Sequence, residues 1–241
     1  MTTSNLISRT PSQRSHSADP LVSTIAQTSV DPSRFELRRA TTEDAETIAY
    51  IAALVNINNY SHFDRGFLLF SFSQQEYADK IEHGYHVYLF VLDGEPIGFT
   101  SAVRRNLIQT DHSGRDVYPS LYPAVEKKAR ELGLDDYVVV HQVAIIPNEQ
   151  NKGYGEIFIS RLNRVESGPY FSVMLESPLR NPRIRYWSNR GVEKIEEIRE
   201  RPSSLFLAME SGESPVDELV WGLYYVDERG WRPRRVDSEQ A

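Results

Sequence analysis

The run Tyr137-Val138-Val139-Val140-His141-Gln142-Val143-Ala144-Ile145-Ile146 constrains the fold more than any other stretch of this chain. Its β-branched content reads as a buried strand. Pro147 stops it, and residues 156–165 (EIFISRLNRV) bring apolar residues back at helical spacing. Between the two lies Gln150-Asn151-Lys152-Gly153-Tyr154-Gly155. A strand, a glycine-containing loop and a helix N-terminus together make an anion site. First-turn N–H groups point outward, the helix dipole favours negative charge, and glycine lets the backbone approach a pyrophosphate. Lys152 adds a cation. The chemistry implied is capture of a nucleotide-like diphosphate; a plain strand-to-helix turn is the alternative for the loop alone. Neither G-x-x-x-x-G-K-[ST] nor G-x-G-x-x-G occurs, which disfavours a P-loop and a dinucleotide Rossmann site.

The remaining elements follow in an order that bounds the fold. Residues 1–33 are rich in Ser and Thr, carry Pro11, Pro20 and Pro32, and read as a disordered arm. Residues 34–210 read as one folded domain, and 211–241 as an extension with an added strand. An alternating strand is predicted at residues 35–39. Thr41-Thr42-Glu43-Asp44 offers a helix start, with Ala45, Ile48, Ile51, Ala52 and Val55 on one face. Ser73 and Glu76 form a capping-box sequence that opens a second helix, ended by Gly84. Between them, residues 66–70 (GFLLF) line an acceptor pocket or belong to the core. Asp93-Gly94 between apolar runs predicts a hairpin of residues 85–92 and 97–103. A helix is expected over 123–132, then strands at 169–175, 192–199 and 204–209, with a helix over 180–190 ended by Gly191. In residues 219–226 (LVWGLYYV) both faces are apolar or aromatic. Such a strand is unsuited to a solvent-exposed edge; it packs on its own domain or completes a partner's sheet, and a homodimer is the favoured expectation.

Bulk properties exclude several function classes. The net charge of −7 argues against general affinity for nucleic acid and suits a cationic partner such as an amine. No apolar run is long enough to cross a membrane, and no secretory signal core is evident. The chain has no cysteine, which excludes disulfides, thiolate metal sites and a cysteine nucleophile, and fits a cytoplasmic location. The histidines do not assemble a metal site by spacing, so no metal is expected. No G-x-S-x-G elbow is present.

Gln150, Gly153 and Gly155 fill the three fixed places of the pattern Gln/Arg-x-x-Gly-x-Gly/Ala. The segment resembles the pyrophosphate loop of the GNAT superfamily of acyl-CoA-dependent N-acyltransferases. The string from Asn148 to Gly155 is closest to the histone acetyltransferase branch. The element order, over about residues 35–210, also resembles that fold. The resemblance implies an α/β (α+β) mixed sheet whose fourth and fifth strands splay apart around the pantetheine. It implies acetyl-CoA or another short acyl-CoA as co-substrate, held by backbone groups of Val143, Ala144 and Ile145 and by the loop from Gln150, Asn151, Lys152, Gly153, Tyr154 and Gly155 to Glu156. The acceptor would be a small-molecule, peptide or protein amine. A non-catalytic acyl-CoA-binding module and an acyl-CoA decarboxylase are the alternatives.

Catalytic residues are less legible. The branch's glutamate base aligns with Val139, so this chain lacks it. His141, with the same side-chain parity on a regular strand, is the candidate base, against a histidine satisfied within the sheet. The tyrosine slot common in the superfamily, four residues before Gly191, holds Trp187. Tyr186 matches the histone branch, where the resemblance places it near the thioester.

Overall fold

The computed structural model describes residues 31–56, 68, 71–110, 121–166, 169–177, 184, 192–200 and 219–226. A 3-10 turn at Pro32–Arg34 leads into β1 (Phe35–Arg39). Helix α1 (Ala45–Val55) buries Ala45, Ile48, Ile51, Ala52 and Val55, the face that its spacing predicted. Helix α2 (Gln74–Glu82) carries a reciprocal capping box, with the Glu76 N–H donating to Ser73 Oγ and the Ser73 N–H to Glu76. Strands β2 (His86–Leu92) and β3 (Glu95–Arg104) are joined by Asp93 and Gly94 at φ 51° and 90°. Two left-handed residues are what the tightest hairpin turn demands. A short helix, α3 (Arg105–Thr110), and α4 (Leu121–Glu131) precede β4 (Val138–Ile145). Then come α5 (Tyr154–Val165), β5 (Tyr170–Ser177), β6 (Glu193–Glu200) and β7 (Leu219–Val226).

The strands form one sheet in the order β1-β2-β3-β4-β5-β7-β6. Neighbours are antiparallel except β4 and β5, which are parallel. Alternation along β2 sorts its side chains to two faces. Val87, Leu89 and Val91 join a core with α1, Tyr77 of α2 and Tyr122, Val125 and Ala129 of α4. Tyr88 packs on the other side with Ile159 and Leu162 of α5. That helix is also pinned by a stack in which the Phe90 ring lies 5.2 Å from Phe35 and 4.8 Å from Phe158. Such pairs add about 0.5–1.5 kcal/mol each beyond their buried area.

The strand expected at Leu219–Val226 is β7, which lies inside the sheet, paired to β5 on one side and β6 on the other. Val220, Leu223, Tyr224 and Val226 are buried within one chain, the in-chain packing that was the alternative to a homodimer contact. The strand expected over 204–209 lies outside the described residues. The helix Arg105–Thr110 was not anticipated. The arm over 1–30, most of 66–70 and most of 180–190 lie outside the described residues. Within the latter two, Leu68 and Ile184 are buried.

Candidate functional site

Pairing between β4 and β5 covers only Val138–Val140 against Tyr170–Ser172. Beyond it β4 keeps to β3 as far as Ile145, while β5 keeps to β7 as far as Ser177. The two central strands part after Val140. The register supplies a local cause: Ser101 faces Gln142 and Ala102 faces Val140, so His141 is an extra residue in β4. A bulge of this kind bends its strand and increases the local twist.

The direction of the β4 backbone beyond the bulge follows from its ladder. The Ile146 N–H donates to Ile97 O at 2.9 Å, and hydrogen-bonded pairs alternate in an antiparallel ladder. Ala144 therefore directs its N–H and C=O to β3, and Val143 and Ile145 direct theirs to the parted side. Two observations agree. A Cβ on Gly98 of β3 would sit 2.4 Å from Ala144 O, and Thr100 Oγ1 donates to Gln142 O at 2.9 Å. Of the three backbone positions expected to hold the thioester arm, Val143 and Ile145 face the gap and Ala144 does not. Gly98 was missed, although a lone glycine in a strand pattern signals close backbone approach.

The loop that follows is built by a 3-10 turn at Pro147–Glu149 and two left-handed residues, Asn151 at φ 63° and Gly153 at φ 84°. Gln150 folds back, its Nε2 donating to Ile145 O at 2.7 Å, and so ties the loop to the end of β4. Gly153 is the N-cap of α5, and nothing lies within 4 Å of where its Cβ would be. Helix geometry leaves first-turn N–H groups such as those of Tyr154 and Gly155 without intrahelical acceptors. Tyr154 turns its ring onto Phe35 at 4.8 Å, so its side chain anchors the loop and its backbone is the part offered. Glu156 follows in the first turn, its N–H donating to Gly153 O at 3.3 Å. Lys152 was expected to bring a cation to the loop; its Nζ lies 2.9 Å from Glu149 Oε1, so the ammonium is partly neutralised.

His141 lies on the face of the sheet that carries α1, α2 and α4. Its ring centroid is 6.0 Å from Tyr85 and 5.8 Å from Tyr122, and its Nε2 is 3.0 Å from Tyr122 Oη. Both tyrosines belong to the core that holds Val139, so the side-chain parity expected for His141 and Val139 is kept across the bulge. The next residue, Gln142, is buried and accepts from Tyr77 Oη at 3.1 Å. Burial raises the Tyr77 phenol well above its usual value, so it is a neutral donor there. Tyr186 and Trp187 lie outside the described residues. Among the described residues no cluster of three or more metal-ligating side chains occurs, and no helix is long and apolar enough to cross a membrane. Tyr122 was not singled out from the sequence; it precedes the helix expected over 123–132, which begins at Leu121.

Neither a protein-family model nor a curated protein sequence matches the chain. Solved structures do. Arabidopsis thaliana NAA60 in complex with acetyl-CoA superposes with a TM-score of 0.50 at 12% identity, over 80% of this chain and 99% of that one. An N-acetyltransferase from Staphylococcus aureus Mu50 gives 0.49 at 12% identity, over 80% and 98%. A GNAT-family acetyltransferase from Bacillus cereus gives 0.45 at 13%, over 80% and 97%. The strand order, the parting of β4 from β5 and the superposition on NAA60 give this chain the fold of the GNAT acetyltransferases.

Proposed function

We propose that the protein is an acyl-CoA-dependent N-acetyltransferase, moving an acetyl or short acyl group to a primary amine by direct attack in a ternary complex. The observation that carries this reading is the parting of β4 from β5 immediately before a loop whose left-handed glycine caps a helix. The residues fit the co-substrate. The open surface at Gly153 and the N–H groups of Tyr154 and Gly155 suit a pyrophosphate. Val143 and Ile145 present backbone groups to a pantetheine amide and a thioester carbonyl. Gln150 and Asn151 shape the loop, and Lys152 is secondary.

Acyl transfer to an amine needs a deprotonated nucleophile, a polarised carbonyl and a stable leaving group. In this reading the Val143 N–H polarises the carbonyl. His141 takes the proton from the acceptor ammonium, directly or through water. The C–N bond then forms as the C–S bond breaks, the nitrogen gives up its second proton to solvent, and the departing thiolate is protonated by solvent or by a nearby group, for which Tyr186 is the candidate. The acceptor is an amine-bearing small molecule, peptide or protein. A chain without cysteine fits work in a reducing cytoplasm.

Thiol release from acetyl-CoA across a panel of amines, with product masses recorded, tests the reading. Acceptor-dependent release with acetylated product supports it. No release with any amine, despite acetyl-CoA binding, would favour a binding module, and amine-independent carbon dioxide release from malonyl-CoA a decarboxylase.

A further inference from the structure

We propose that Thr100 is a positioning residue for acyl transfer: by donating to Gln142 O it aims and strengthens the Val143 N–H that faces the gap. This rests on the reading in which that N–H polarises the thioester carbonyl. Thr100 lies on β3, is fully buried, and its Oγ1 donates to Gln142 O at 2.9 Å. A carbonyl oxygen can only accept, so the direction of this bond is settled. Gln142 O and the Val143 N–H belong to one peptide unit. In a planar trans peptide the two point in opposite directions. A hydroxyl that holds the carbonyl on the β3 side therefore aims the N–H at the parted side.

The place of this peptide explains why a hold is needed. It follows His141, the extra residue of the β4 bulge, and lies beyond Val140, where pairing to β5 ends. From there on, among the described residues, β4 has a ladder on one side only. Phe99 and Val103 of β3 belong to the core with α1 and α2, and Ala102 to the core with α5, so the Thr100 side chain lies on the α5 face. The Gln142 side chain lies on the other face, hydrogen-bonded at 3.1 Å to Tyr77 Oη of α2. Gln142 is thus gripped from both faces of the sheet, by two residues that are each 0% exposed. A carbonyl that accepts a hydrogen bond polarises its own peptide and makes the N–H a better donor. Both effects serve the transition state, in which the thioester oxygen gains negative charge.

Three variants of the full chain test this. Thr100→Val keeps the shape and removes the hydroxyl, Thr100→Ala removes it without crowding the site, and Thr100→Ser retains it. With an amine found in the acceptor panel, the single-turnover rate of acetyl transfer should fall about fivefold to tenfold in the valine and alanine variants. Thr100→Ser should stay near wild type, and acetyl-CoA affinity should be unchanged in all three. NMR of the labelled chain reads the peptide itself. The Gln142 carbonyl carbon-13 and Val143 nitrogen-15 resonances should move upfield on loss of the hydroxyl and hold in Thr100→Ser. Wild-type transfer rates without the hydroxyl, or unmoved resonances, overturn the proposal. So does an equal loss in Thr100→Ser, which would show that Thr100 only packs. The two readings fail separately. No transfer by wild type to any amine removes the acetyltransferase reading, whereas wild-type transfer that survives loss of the hydroxyl removes only the role of Thr100.

Discussion

Replacing Glu166 should destabilise the domain strongly and leave acyl-CoA binding intact. Glu166 follows α5 and is 5% exposed. Its carboxylate accepts from Tyr88 Oη at 2.7 Å and from Arg104 at 3.1 Å, and it is also paired with His86. It thus ties the end of α5 to β2 and β3. Burial alone would push the carboxyl up. The bonds from His86 and Tyr88 and the nearby charges of His86 and Arg104 outweigh burial and hold it below its usual 4.5. Removing one partner of a buried ion pair costs about 3–5 kcal/mol. Arg104 is partly exposed and keeps Asp136 at 2.9 Å, so the lower end applies to Glu166→Ala, about 3 kcal/mol. For a domain of this size that lowers Tm by roughly 6–12 °C. Because the folded value lies below the unfolded one, this contribution is fully present above pH 4.5 and is lost as pH falls through the folded value. The gap between wild type and Glu166→Gln should therefore narrow on acidification. The loop at the other end of α5 is 12 residues away, about 18 Å along the helix, so the folded variant should bind acetyl-CoA as wild type does. Urea unfolding at pH 7 and at pH 4, with calorimetry of acetyl-CoA binding, reads all three. A loss under 1 kcal/mol, or a gap that widens at low pH, would refute the reasoning.

Three further outcomes are expected. Gly98→Ala puts a Cβ 2.4 Å from Ala144 O, which should cost about 1–3 kcal/mol in urea unfolding and weaken acetyl-CoA binding by distorting β4; wild-type stability would show that β3 and β4 are not so close. A chain ending near residue 212 loses β7, which joins β5 to β6, and should not fold cooperatively by circular dichroism. Asp44 accepts from both terminal nitrogens of Arg38 at 2.7 and 2.8 Å, and these bonds hold its carboxyl down at about 2. Asp44→Asn should cost about 1 kcal/mol at pH 7, discounted because Arg38 is partly in solvent, and nothing below pH 2.

Local chemistry made much of this fold legible in the sequence. The Ser73–Glu76 box, the Asp93-Gly94 turn and the β-branched run before Pro147 each specify their own conformation, and each stands as read. What was hidden depends on pairing between distant segments. The bulge at His141 exists only in register with β3, and that register decides that Val143 and Ile145, not Ala144, face the gap. The placement of β7 between β5 and β6 is likewise a long-range choice, since an apolar strand reads the same at an edge or in the middle. Lys152 read as a loop cation because its partner, Glu149, is brought to it by the turn between them. Arg105–Thr110 is one and a half turns long and carries no cap signal in its six residues.

The central claim is that a pyrophosphate seats on the N-cap of α5. Isothermal titration of acetyl-CoA into the wild type, Gly153→Asn and Gly153→Asp tests it most directly. Asn and Asp both tolerate the left-handed conformation that Gly153 adopts at φ 84°, and the space around it accepts a Cβ, so the two variants differ chiefly in charge. The account predicts that wild type binds, that Gly153→Asn binds more weakly, and that Gly153→Asp loses at least a further tenfold at unchanged Tm, a difference that salt reduces. Equal affinity for all three proteins would contradict it.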